Sequence, residues 1–325
     1  MLSLFEKSIL VLFIAFFLLF SGCIQTSKSE ITIGLQNTPS SAIVLVAAEK
    51  GFFAQNGLDV KLEDFTAGKF ALQAFLSGSV DLAVAGDVPI VLATMQGNDF
   101  YVLVQTVEST QENPVIVLDD FIEGPKEYFL KTKRKLTTSI GGTPEFYTYN
   151  FLKYYEIPED QVEIIAQKPE EMVAAFVASS VDAMSIFEPY PTLSEDLLPG
   201  KTKRFEIPSK VYSPLYVLAA NKVWVDKNPE KAVDLLNALV LAEKFIEKNP
   251  AESQKIVAQK TKFSEELIRS IWSQYTIKAV ITERLLEYWN AEAVWAIETG
   301  KVNEIVPLDF EILLRKDLLN QARGD

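Results

Sequence analysis

The stretch Phe75–Pro89, FLSGSVDLAVAGDVP, decides the fold. It reads as the end of a helix, a short β-rich run, and a loop that opens another helix. The same order returns 176 − 75 = 101 residues later, at Phe176–Tyr190, FVASSVDAMSIFEPY. Phe75/Phe176, Ser79/Ser180, Val80/Val181 and Asp81/Asp182 are identical, and Asp87 falls opposite Glu188 without a gap. The pair predicts two α/β lobes built on one plan, each presenting a strand-end loop to a shared crevice. Open α/β sheets bind ligands at the carboxyl ends of their strands. Two unrelated helix–turn–strand units would give a similar pattern without a crevice, since such connections are short and common.

Working outward, Ile31–Leu35 (ITIGL) and Leu58–Leu62 (LDVKL) read as strands around a helix at Ser41–Lys50, which Gly51 stops. That βαβ unit implies a parallel sheet. A helix at Gly68–Ser77, a strand at Val80–Ala85, a helix at Ile90–Gln96 and a buried strand at Tyr101–Thr106 complete the first series. The second series has strands at Pro114–Leu118 and Thr137–Ile140, with the basic run Lys131–Lys135 as a solvated turn between them. It continues with a helix at Glu145–Tyr155, a strand at Val162–Ala166, a helix at Pro169–Ala178 and a strand at Val181–Ile186. Arg204–Ile207 and Leu215–Ala220 are strands on the return crossing, and from Asn228 on helices read at Pro229–Lys248, Ala251–Lys260, Ser264–Tyr275 and Thr282–Thr299. The expected division is 31–113 with 209–325 as one lobe and 114–208 as the other.

The chain opens with an unbroken apolar run, Ile9–Phe20. Its length, roughly 18 Å as a helix, falls short of the roughly 30 Å hydrocarbon core. It suits an export signal over 1–22. Ser21-Gly22-Cys23 then matches the lipoprotein pattern, in which the cysteine becomes the lipidated first residue, and 23–30 reads as a polar tether. Cys23 is the one cysteine in the sequence, so no intrachain disulfide forms. There is no histidine, which removes the commonest general base and zinc ligand and leaves no Ser-His-Asp or Cys-His arrangement. No metal, cofactor or catalytic residue is expected. A net charge of −13 repels a phosphate backbone and argues against nucleic acid as a partner.

Ala48-Glu49-Lys50-Gly51-Phe52-Phe53, followed by Gly57-Leu58-Asp59-Val60, resembles the opening signature of the sulfonate, taurine and nitrate binding proteins of ABC importers. Gly78–Pro89 and Val181–Pro189 are similar to further marks of that superfamily, which also includes binders of thiamin pyrimidine precursors. The resemblance implies a type II periplasmic-binding-protein-like fold: two α/β lobes, two hinge crossings, closure on a small solute. It also implies an ABC permease in the membrane as partner and a monomer held to the outer face of the cell membrane by lipid on Cys23.

Three loops set a helix start beside a strand end, where backbone N–H groups favour an anion: 36–41, 86–89 and 142–145. Gln36, Thr38, Gly86, Asp87, Ser109, Thr143, Glu188 and Tyr212 are the candidate ligand-binding residues. Thr38 and Thr143 serve equally well as helix caps, and Asp87 is placed to cap the helix after it. Gln36 caps no evident helix. Asp87 and Glu188 do not suit a simple anion, so if both face the crevice the ligand carries an amine. The expectation is a solute-binding lipoprotein for a small organic anion or zwitterion. The alternatives are an aminopyrimidine as ligand, or an enzyme using Asp87 and Glu188 as acid and base.

Overall fold

A computed structural model describes residues 30–118, 124–302 and 309–324. The apolar run, Cys23 and most of the tether lie outside the described residues. The strands in chain order are β1 (Ile31–Gln36), β2 (Val60–Phe65), β3 (Leu82–Gly86), β4 (Tyr101–Ser109), β5 (Val115–Leu118) and β6 (Arg134–Thr138). They continue as β7 (Val162–Ala166), β8 (Ala183–Ser185), β9 (Thr202–Phe205), β10 (Leu215–Ala220) and β11 (Tyr275–Val280). They form two sheets, in the orders β11-β4-β10-β3-β1-β2 and β7-β6-β8-β5-β9. The first carries buried apolar clusters on both faces, one of them built on the helices Ala42–Glu49 and Pro229–Lys248. The helices Thr143–Tyr154 and Pro169–Val177 supply the clusters that cover the second.

The parallel pairs follow from the helical crossovers. β1 pairs with β2 and β3, and β6 pairs with β7 and β8, all in parallel. The chain passes from the first sheet to the second between β4 and β5, and returns between β9 and β10. The helix Glu283–Glu298 joins the two cores by packing. Its Leu285 and Trp289 are buried with residues of the first sheet, its Trp295 and Ala296 with residues of the second.

The internal repeat is reproduced bond for bond. Ser79 N donates to Ala74 O at 2.8 Å, and Ser180 N to Ala175 O at 2.8 Å. Both turns need a left-handed residue, which is Gly78 (φ 77°) in the first and Ser179 (φ 56°) in the second. The repeated aspartates then tie each turn to a strand. Thr32 N on β1 donates to Asp81 Oδ2 at 2.8 Å, and Lys135 N on β6 donates to Asp182 Oδ2 at 2.7 Å.

Three expectations are corrected. Tyr275–Val280, read as helix end and linker, is the edge strand β11, whose alternating burial marks a strand with one wet face. The basic run is a shorter turn than expected: Lys131 ends the helix Pro125–Lys131, Thr132 and Lys133 form the exposed connection, and Arg134 and Lys135 open β6. The helix after β3 begins at Asp87, three residues before the predicted start. Among the described residues, no helix is long and apolar enough to cross a membrane.

Candidate ligand-binding site

Gln36, Gly86 and Ser109 are the last residues of β1, β3 and β4; Thr138 and Ser185 are the last of β6 and β8. The carboxyl edges of the two sheets face each other across a narrow gap. Gln36, Gly68, Gly86 and Tyr216 line it from the first sheet, and Ser139, Thr143 and Phe187 from the second. Its free volume is about 20 Å³, close to the least that holds one water. The two sides are bonded together. Lys69 Nζ donates to Ile140 O at 2.8 Å, and Thr143 Oγ1 donates to Asp87 Oδ1 at 3.0 Å. Gly86 permits this approach, because a Cβ there would overlap the Thr143 hydroxyl.

Asp87 is fully buried and saturated by protein donors. Val88 N reaches Oδ1 at 2.9 Å, Leu215 N reaches Oδ2 at 3.1 Å, and the Tyr212 hydroxyl lies 2.9 Å from each oxygen. Burial raises its pKa, and these donors oppose the rise. Glu292, buried on the bridging helix, is 3.4 Å from the Tyr212 hydroxyl. Its pKa is pushed well above the ordinary 4.5, by burial first and then by the charge of Asp87. Asp87, with four donor groups, keeps the charge, and Glu292 keeps the proton.

Glu188 is also fully buried and has protein partners. Arg204 Nη1 lies 2.8 Å from its Oε1, and the Thr192 hydroxyl 2.9 Å from the same atom. Arg204 also meets Glu195 Oε2 at 2.6 Å through Nη2. Burial raises the Glu188 pKa, and Arg204 works against that rise.

These contacts correct several expectations. Asp87 and Glu188 present no free carboxylates to a solute, and they do not work as a pair, since each is committed elsewhere. Tyr212 is a buried junction whose ring packs edge-on against Phe146 and Tyr288. Gln36 does serve a helix: its Oε1 accepts from Gly68 N, the first residue of Gly68–Leu76, at 2.9 Å. Thr38 and Thr143 do not cap helices through their side chains. The Thr38 hydroxyl joins Gln36 Nε2 at 2.9 Å and Ser40 Oγ at 2.8 Å.

A second group of side chains has no such partners. Ser109 Oγ, both carboxylate oxygens of Glu112, both amide atoms of Asn113, Thr138 Oγ1, Ser185 Oγ and the Tyr275 hydroxyl are buried without a hydrogen bond. Strand register gathers them: Tyr275 faces Ser109, Ser185 faces Val115, and Thr138 faces Ser185. Buried polar groups without partners are rare and call for an explanation. Of this group the sequence singled out Ser109 alone. The signal for Glu112 and Asn113 was the polar QEN segment between two apolar strands, at the first crossing.

The sequence profile of the NMT1-like family matches residues 25–260. A protein of Bacillus subtilis (strain 168) named for binding aliphatic sulfonates is 26% identical over 242 residues, 71% of each chain. The periplasmic aliphatic sulphonate binding protein SsuA from Escherichia coli superposes with a TM-score of 0.72 at 20% identity, over 86% of this chain and 90% of that one. The desulfurization enzyme DSZB shares the fold with a TM-score of 0.70 at 13% identity, over 91% of this chain and 99% of that one. With two mixed α/β sheets of the periplasmic-binding-protein type and a profile match across most of its length, the chain belongs to the NMT1-like family.

Proposed function

We propose that the protein is the extracytoplasmic solute-binding component of an ABC importer, closing two lobes over a small organic anion or zwitterion of the sulfonate or taurine type. Residues 31–113 and 209–325 form one lobe and 114–208 the other, hinged at the two crossings. The protein acts as a monomer, is held to the membrane by lipid on Cys23, and hands its ligand to a permease without transforming it. The observation that carries this reading is the buried, unpartnered group of Ser109, Asn113, Thr138 and Ser185 beside the facing sheet edges. Hydrogen-bonding atoms withdrawn from water cost free energy until something completes them, and a solute taken from water does so.

In this reading Gln36, Thr38, Gly86, Ser109 and Thr143 belong to the ligand gap. Asp87, Glu188 and Tyr212 hold the loops that frame it. The gap must open to admit a taurine-sized solute, and the Thr143–Asp87 and Lys69–Ile140 bonds are what opening breaks. An enzyme using Asp87 and Glu188 as acid and base is disfavoured because both carboxylates are saturated by protein donors. Calorimetric titration with taurine, alkanesulfonates, nitrate and aminopyrimidines tests the proposal. Saturable binding of one member supports it, and no heat with any member contradicts it.

A further inference from the structure

Glu112 sits on the first crossing, pinned by its own carbonyl, which accepts from Glu188 N at 2.8 Å. Its side chain is fully buried, and neither carboxylate oxygen has a hydrogen-bond partner. Among the described residues, no lysine or arginine makes an ion pair with it, whereas Glu188 is matched by Arg204. The groups around it are other acids and phenols. The Tyr216 and Tyr275 hydroxyls lie close enough to favour its charged form, without a hydrogen bond of good geometry, while Glu188 and Asp87 act against that form through their charge. The Tyr275 hydroxyl is itself unpartnered. Burial drives the Glu112 pKa well above 4.5.

We infer that Glu112 receives an amino group of the ligand, so that the solute is an amine-bearing molecule and not a simple anion. This rests on the solute-binding reading above and narrows it. A buried acid with no cation and no well-formed hydrogen bond, only two neighbouring phenols, is costly to ionise, and an incoming N–H relieves that cost. An ammonium beside it lets Glu112 ionise, whereas a sulfonate or nitrate with no amine brings only a negative group next to an acid already crowded by Asp87 and Glu188. An ammonium, or the exocyclic amine of a heterocycle, supplies both the donors and the opposite charge. Ser109, Asn113 and Ser185 remain for the polar atoms of the rest of the solute.

The test is calorimetry on the purified protein with matched pairs: taurine against ethanesulfonate, β-alanine against propionate, 4-aminopyrimidine against pyrimidine. The expected result is that an amino member binds and its amine-free partner binds about 10- to 100-fold more weakly. Glu112→Gln is expected to fold with at least wild-type thermal stability and to lose most of that discrimination. Equal affinity within the best-binding pair overturns the inference and leaves the solute-binding function standing. The same holds if Glu112→Gln retains full preference for the amine. Failure of every probe to bind removes the solute-binding reading, and the inference with it.

Discussion

The Thr143 hydroxyl, carried by the second sheet's side of the gap, donates to the Asp87 carboxylate of the first at 3.0 Å. Asp87 in turn takes Tyr212 from the return crossing and Leu215 N from the start of β10. One carboxylate thus ties together the helix after β3, the opposite loop and the second crossing. Gly86 leaves the space that lets Thr143 reach it.

Gly86→Ala is expected to push Thr143 off Asp87 and destabilise the protein by about 1–3 kcal/mol, the usual cost of overpacking. Thr143→Ala alone should cost about 0.5–1.5 kcal/mol, one hydrogen bond. With Thr143→Ala present, the added methyl has less to strike, so the double variant should cost less than the sum. Denaturant unfolding of the four proteins measures this coupling, and strict additivity contradicts it.

Glu292 binds a proton in the folded protein at pH values where the unfolded chain, with a glutamate pKa near 4.5, has released it. The folded state therefore loses stability as pH rises from 4.5 through the raised pKa, by up to about 1.4 kcal/mol per pH unit. Glu292→Gln removes this dependence while keeping a donor beside Asp87. Its stability relative to wild type should increase steadily from pH 5 to pH 8. A constant difference across that range would show that Glu292 is not held protonated.

Glu188→Ala strands part of the Arg204 guanidinium in a largely buried position and should cost about 3 kcal/mol. Glu195→Ala should cost less, because Glu195 is partly exposed and Arg204 keeps Glu188. Urea unfolding of both variants tests the order. A neutral Glu188→Ala that abolishes solute binding would mean that Glu188 contacts the ligand after all.

Cys23→Ser is expected to move the protein from the membrane fraction to the soluble fraction and to abolish labelling by radioactive palmitate. Labelling that survives the substitution, or a wild-type protein that takes up no label, contradicts a lipid anchor at Cys23.

The paired architecture was legible because Phe75–Pro89 and Phe176–Tyr190 encode the same local geometry. Their aspartates do the same job in each sheet, and both stretches carry Ser-Val-Asp. Tyr275–Val280 was missed because it is an edge strand between helices, where alternation over six residues competes with a strong helical context. The site was harder to read. Glu188 finds its partners nearby, at Thr192 and Arg204, but the partners of Asp87 and Tyr212 lie far along the chain. Leu215 bonds Asp87 across 128 residues, a separation no local pattern reports. Glu112 carries no motif, and only its burial without a partner distinguishes it from a surface glutamate.

The most direct test of solute binding at the facing strand ends is titration calorimetry of wild type and Asn113→Leu with the tightest-binding member of the solute panel. The substitution removes both unpartnered amide atoms at nearly constant shape and should leave the fold intact. One-to-one binding by wild type, weakened about tenfold or more in the variant, is the expected result. Binding with equal affinity in both proteins would place the ligand elsewhere and contradict the assignment.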